Sequence, residues 1–376
     1  MSDTIVRPLA RRGADLRRFL RLSHAIYRDD PLWVAPLTMD FQKLFTAANP
    51  LFEHAEMQLW IAERDGRDVG RIAGLVDRHY NEFHQEQSAF FGFFECINDA
   101  TVSDALFAAT LDWARAREMN RVLGPLNPTT NEESGLLIDG FDSSPVFMMT
   151  YNPPYYAELL AAAGFVKAKD LLAYAFDLAH APVDRFERIA AKLNHRSPDI
   201  TIVPVTRRNL EQSLSEVKEI YNEAWRANWG FVPMTDAEIN FLAARLKPLL
   251  TEGLAYIARN AHEPAGFLLA MPDFNQALKP LKGRLLSPQL FGFLRYLFGW
   301  KVPDACRVIT LGVKSKYQGR GIETAMLAEG LHTGFRLGFR TIEASWILED
   351  NSAVQRLIKL FGGRPYKTYR IYERSL

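Results

Sequence analysis

In the second half of the chain, apolar positions follow two alternating periods. Leu210, Leu214, Val217, Ile220 and Tyr221 recur at helical spacing between Arg208 and Trp225, with Glu and Lys between them, which predicts an amphipathic helix. Asp236 to Leu250 repeats the pattern. AYIARN and AGFLLAMP read as a strand hairpin, and RVITLGV at 307–313 carries so little polar interruption that it predicts a buried central strand. Gly321 to Phe339 fits a helix burying Met326, Leu327, Leu331 and Phe335, followed by the strand TIEASWIL at 341–348. Asp350 or Asn351 is placed to cap the next helix, SAVQRLIKLF, which Gly362 and Gly363 end, and RPYKTYRIYER closes as an alternating strand. This order predicts an α/β fold, a mixed sheet flanked by helices.

The first half repeats it faintly. IYRDDPLWVAPLTMD at 26–40 is echoed by IYNEAWRANWGFVPMTD at 220–236, and WIAERDGRDVGRIAGLVD at 60–77 by YIARNAHEPAGFLLAMPD at 256–273. Ala62 and Ala258, Gly70 and Gly266, and Asp77 and Asp273 each lie 196 apart. The offset grows to 219 between helices opening near Val102 and Gly321, since the second half has extra residues around 275–303 and the first has its own around 126–147. We therefore expect two related mixed sheets in a pseudo-symmetric tandem, 1–180 and 204–376, joined by a linker or bridge helix at 181–203.

Composition narrows the function classes. The 376 residues are 48% hydrophobic and 24% charged, as in ordinary globular chains, and 45 Lys plus Arg against 44 Asp plus Glu leave a net charge of +1. That balance gives no chain-wide attraction to nucleic acid, and none is expected as a partner. Two cysteines, Cys96 and Cys306, exclude a thiolate cluster or a disulfide scaffold. His54, His79 and His84 follow no metal-ligand spacing, and His332 reads as a packing or surface residue of its helix, so no metal is expected. No apolar run reaches the ~20 residues of a membrane span, and the opening residues lack a signal-peptide core. A cytoplasmic protein without a transmembrane segment is the expectation, with oligomeric state open. The most apolar long run, LLSPQLFGFLRYLFGW at 285–300, reads as a lid, a substrate groove or a surface lying against another apolar body.

Chemistry concentrates in Tyr317-Gln-Gly-Arg-Gly-Ile-Glu-Thr324, between a hydrophobic strand and an amphipathic helix. Amides from Gly319 through Glu323, the charge of Arg320 and a helix N-terminus together suit a phosphate. The loop lacks the Lys-Ser/Thr of a P-loop. With RVITLGV before it and NSAVQRLIKLFGG and YRIYER after it, this segment resembles the GCN5-related N-acetyltransferase superfamily, whose pyrophosphate loop runs Gln or Arg, two residues, Gly, one residue, then Gly or Ala. Gln318 and Gly321 match it, and Glu323 replaces the last small residue. The resemblance implies acetyl-CoA or another acyl-CoA as donor, held by Leu311, Gly312 and Val313 along the strand, by Gln318, Gly319, Arg320, Gly321, Ile322 and Glu323 in the loop, and by Asn351. In the first half, FFGFFECI is followed by NDATVSDALF, with Asp99 and Asp104 where phosphate would lie, so that copy reads as one that has lost the donor.

The implied reaction is attack of an amine, from a small molecule or a peptide, on the thioester through a tetrahedral intermediate. The family's tyrosine acid has no counterpart, since Ile358 stands at its position. Glu343, Asp273 and Tyr369 are the catalytic candidates, with Tyr366 and Tyr372 on the same closing strand; Trp225, Trp229 and Phe231 are candidates for acceptor recognition. The alternative is a catalytically inactive module that binds acyl-CoA or a protein.

Overall fold

The structure, a computed structural model, describes residues 3–196, 198–284 and 288–376. The first three residues of the apolar run 285–300 lie outside the described residues. The strands and helices of the first half are β1 (Ile5–Leu9), α1 (Gly13–Ile26), α2 (Thr38–Lys43), β2 (Ala55–Arg64), β3 (Arg67–Asp77), α3 (Arg78–His84), β4 (Ser88–Cys96), α4 (Ala100–Arg115), β5 (Arg121–Gly124), β6 (Leu126–Asn127), β7 (Glu133–Ser134), β8 (Leu136–Asp139), α5 (Tyr156–Ala162) and β9 (Val166–Asp177). The second half has α6 (Val183–Arg196), β10 (Ile200–Pro204), α7 (Leu210–Ala224), α8 (Asp236–Leu246), β11 (Ala255–Asn260), β12 (Glu263–Pro272), α9 (Asn275–Leu278), α10 (Leu290–Leu297), β13 (Ala305–Val313), α11 (Ile322–Leu337), β14 (Thr341–Leu348), α12 (Ser352–Leu360) and β15 (Arg364–Ser375).

Two compact units result. The first takes the chain up to Leu171, a short piece beginning at Leu281, and Lys367–Leu376; the second takes Leu172–Pro280 and Pro288–Tyr366. Within the first, β1 to β4 run antiparallel, β5 joins β4 in parallel, and the end of β15 pairs antiparallel with β5, Tyr372 opposite Gly124. Within the second, β10 to β13 are antiparallel, β14 joins β13 in parallel, and β9, which runs on into this unit, is the other neighbour of β14. Each unit is thus a mixed sheet with the same order of elements, and the last ten residues of the chain serve the first unit.

The packing follows the sequence pattern. In the first unit Trp60, Ile72, Phe91, Phe107, Leu160 and Tyr372 share one core. In the second, Ile322, Ala325, Met326, Ala328 and Leu331 of α11 pack on one sheet face, and Val217, Ile220 and Ile239 of α7 and α8 pack on the other. Phe335 departs from expectation. The buried row of α11 advances by three residues, through Ala325, Ala328, Leu331 and Gly334, and Phe335 falls just past it, 40% exposed.

Replacing Tyr372 with Ala removes a ring that is 5% exposed in the first unit's core. The expected cost is about 3 kcal/mol of stability, measurable by denaturant unfolding of the full chain.

Candidate active site

The parallel ladder between β13 and β14 is short. It runs from Ala305 opposite Thr341 to Val308 opposite Ala344, while β13 continues to Val313. On its other side β13 stays paired with β12, through an irregularity that leaves Ile309 out of register between Val308 and Thr310. The two strands fork there, and the edge of β13 beyond the fork is only partly buried over Val308 to Leu311. One residue further, a methyl group at Gly312 would fall 2.1 Å from the Trp225 ring, so the indole lies directly on the strand backbone. Tyr221 stacks on Trp225 at 4.9 Å and meets Phe231 at 5.7 Å. The sequence candidates Trp225, Phe231 and Gly312 are thus brought together on one face, while the side chains of Leu311 and Val313 turn to the other face and pack toward α11. Trp229 lies on the same connection, partly buried.

The loop after β13 supplies positive potential. Gly319 and Gly321 have φ of 74° and 90°, a conformation that glycine adopts without steric cost, and Gly321 is the N-cap of α11 with no side chain capping it. The first-turn amides of α11 therefore have no backbone acceptor within the helix, and the Glu323 carboxylate meets its own N–H. Gln318, Gly319 and Arg320 are exposed, and Gln318 Nε2 donates to Val313 O at 3.2 Å, tying loop to strand. An anion fits here by hydrogen bonding and by the helix dipole. Glu323, in the first turn, is half-buried, and burial raises its carboxyl pKa above the ordinary value. Asn351 instead caps its own helix, accepting from Val354 N at 3.2 Å.

In the first unit the same fork is closed by the chain itself. β4 pairs with β5 only from Ser88 to Phe90, and the gap beyond is filled by β6. Asn127 Oδ1 accepts from Phe93 N at 2.6 Å, and a methyl at Gly92 would fall 1.7 Å from Leu126 O. Further along β4, Cys96 N donates to Tyr156 OH at 2.9 Å, and Tyr155 OH donates to Cys96 O at 2.8 Å. Register places Glu95 where the second unit has Gly312. Its carboxylate accepts from Tyr156 OH at 2.7 Å and lies 3.5 Å from buried Arg71; burial raises its pKa despite that cation. The helix N-terminus is closed too. Asp99 accepts from Thr101 N and Val102 N of α4 and pairs with Arg64 at 2.6 Å, and these bonds hold its carboxyl below the usual range.

At the base of the open fork sits a polar network that the sequence only half revealed. Glu343, expected on chemical grounds, is 2% exposed. Ser345 Oγ donates to Glu343 Oε1 at 2.6 Å, Arg307 Nε donates to Ser345 Oγ at 3.1 Å, and the Tyr366 phenol donates to Glu343 Oε2. Cys306, Val308 and Ile342 face α11, so by strand alternation Arg307 and Glu343 lie on the opposite face. Asp273 stands apart in role: its Oδ1 accepts from Asn275 N at 3.2 Å, a turn-capping contact like that of its repeat partner Asp77 with His79 N. Tyr369 is fully buried in the first unit, opposite Leu137 on β8, and the phenol that meets Glu343 belongs to Tyr366. Arg307, Ser345 and Lys314 belong to no motif in the sequence. Lys314 is 1% exposed at the end of β13, bonded to Glu219 with Glu223 and Glu263 each at 3.7 Å. A lysine directly after a strand with little polar interruption is the available signal.

Comparison with known proteins agrees with this geometry. The profile described as "Acetyltransferase (GNAT) family" matches residues 214–362. A protein of Caulobacter vibrioides (strain NA1000 / CB15N) named "Bacterial ceramide synthase" is 36% identical over 372 residues, covering 96% of this chain and 95% of its own. The chain belongs to the GNAT acetyltransferase family. "Protein YghO" of Escherichia coli (strain K12) is 33% identical over 371 residues, covering 96% of this chain and 93% of its own. Among solved structures, a tandem GNAT protein from the clavulanic acid biosynthesis pathway superposes with a TM-score of 0.61 at 15% identity, covering 99% of this chain and 98% of that one. The GNAT profile falls within the half whose fork is open. Membership in this family makes the chain an N-acyltransferase enzyme, and the inactive-module alternative gives way. Among the described residues no helix is long and apolar enough to cross a membrane.

Asn127 is the GNAT fork's internal plug in the first unit. Asn127→Ala leaves the buried Phe93 N–H without its acceptor, and a loss of about 2 kcal/mol is expected in urea unfolding.

Proposed function

We propose that this protein transfers a long acyl chain from acyl-CoA to the amine of a long-chain amphiphile, with the second unit as the donor site. The open fork at Val308 and Ala344, followed by the uncapped α11 N-terminus, is the observation that carries the reading. Support for the substrate class comes from the relative named as a ceramide synthase, since a ceramide is the amide of a fatty acid with a long-chain amino alcohol. In this reading the β13 edge orients the pantetheine arm, Trp225 walls it, and the amides of residues 319–323 with Arg320 hold the pyrophosphate. An acyl-CoA donor and two buried free thiols fit a cytoplasmic setting.

The amine nitrogen attacks the thioester carbonyl; the C–N bond forms, the C–S bond breaks, the amine loses a proton and the departing thiolate gains one. We assign the proton to the thiolate to Tyr366, whose phenol is half-buried and anchored by Glu343. Glu343 is the positioning group, itself held by Ser345 and Arg307, and the amine proton leaves through this carboxylate or a water beside it. Asp273 and Tyr369 take no part in this assignment.

Turnover of C2 to C16 acyl-CoAs against a long-chain amino alcohol and against short amines tests the substrate class. A preference of at least about tenfold in kcat/KM for the long donor and amphiphilic acceptor is expected, as differential burial of several methylenes requires; equal or better use of acetyl-CoA across acceptors would reject it. Tyr366→Phe is expected to lower kcat about 100-fold with CoA affinity unchanged. Glu323 gives a pH signature. Its raised pKa keeps the carboxyl neutral at lower pH, and its charge appears as pH rises through that value, so repulsion of pyrophosphate grows with pH. Relative to wild type, Glu323→Gln should tighten CoA binding about threefold on the alkaline side and not on the acid side, read by calorimetry.

A further inference from the structure

Eight large apolar side chains are exposed among the described residues, and three of them, Phe291 at 67%, Phe298 at 63% and Trp300 at 69%, fall within ten positions on and just after α10. Phe291, Arg295 and Phe298 are spaced by four and three, which puts them on one helix face, while Phe293 points inward at 8%. Gly292 and Gly299 lie beside the two phenylalanines, and a methyl at either would meet nothing within 4 Å, so the rings stand out from open backbone. Phe298 and Trp300 form a ring pair at 5.7 Å, and Lys301 lies over Tyr296 at 5.1 Å. The charge of the segment is one-sided: between Asp273 and Asp304 the chain carries Lys279, Lys282, Arg284, Arg295 and Lys301 and no carboxylate, in a protein whose net charge is +1.

We infer that α10 and the residues through Lys301 dock on an anionic lipid surface. Aromatic rings project toward the acyl boundary and Arg295 and Lys301 stay at the level of phosphate headgroups, the arrangement in which an amphipathic helix binds the interface. At eight residues α10 is about 12 Å long, so it lies on the leaflet and does not cross it. A carboxylate-free run favours phosphate headgroups over a second copy of this nearly neutral chain. The surface would hold the enzyme where an amphiphilic amine partitions.

Flotation of the purified full-length protein with phosphatidylcholine vesicles, and with vesicles holding about 30% phosphatidylglycerol, tests this near physiological salt. Binding at least about tenfold stronger to the anionic vesicles is expected, weakening as salt rises. Combined Phe291→Ser, Phe298→Ser and Trp300→Ser should cut binding about tenfold or more with thermal unfolding unchanged, because all three side chains are already exposed. Arg295→Gln with Lys301→Gln should abolish the preference for anionic lipid. The proposal is overturned if neither vesicle captures the protein, if the triple variant binds as well as wild type, or if the triple change instead abolishes self-association of a protein that ignores vesicles. Because binding is read without donor or acceptor, it stands or falls separately from the substrate assignment.

Discussion

A backbone that leaves its partner strand must find hydrogen bonds elsewhere, and each unit of this protein meets that demand once, at its central fork. Parallel pairing stops at Phe90 in the first unit and at Val308 in the second. The first unit satisfies the freed strand internally, with Asn127 on Phe93 N and two tyrosines on the backbone of Cys96. The second leaves the edge of Val308 to Leu311 only partly buried, next to Gly312 and the Trp225 ring that lies on it. Orphaned buried amides are costly, so one fork is a finished piece of structure and the other is completed, in our proposal, by the amide-rich arm of the donor.

Electrostatics repeats the contrast. Asp99 occupies the N-terminus of α4 and is itself neutralised by Arg64, whereas Gly321 opens α11 with no capping side chain. A carboxylate already seated on the first-turn amides excludes a phosphate by occupancy and by charge. The insertion around 126–147, which in the sequence was only a break in the repeat offset, is what brings β6 and Asn127 into the first fork. The buried Arg71 and Glu95 pair in the first unit and the Arg307, Ser345 and Glu343 chain in the second show two further uses of the same sheet face: a closed core in one, a support for Tyr366 in the other.

Much of this was legible in the residues. Strand and helix positions in the second half follow from apolar periodicity, and TIEASWIL coincides with β14 residue for residue. The glycine loop and the faint repeat were readable because glycine conformation and turn placement are local. What the sequence did not show depends on distant partners. The network around Glu343 is not readable from its own strand, because the parallel register is what sets Arg307 opposite it, and alternation puts Tyr366 and Tyr369 on opposite faces of the closing strand without telling which face meets Glu343, since the chain passes from one unit to the other between them. Lys314 hid for the same reason: its compensating glutamates come from α7 and β12.

The asymmetry of the two forks is most directly tested by amide hydrogen exchange of the full chain with and without a non-hydrolysable long-chain acyl-CoA thioether. The account predicts new protection over residues 309–324 and none over 91–103. Protection of 91–103, or of both segments alike, would contradict it.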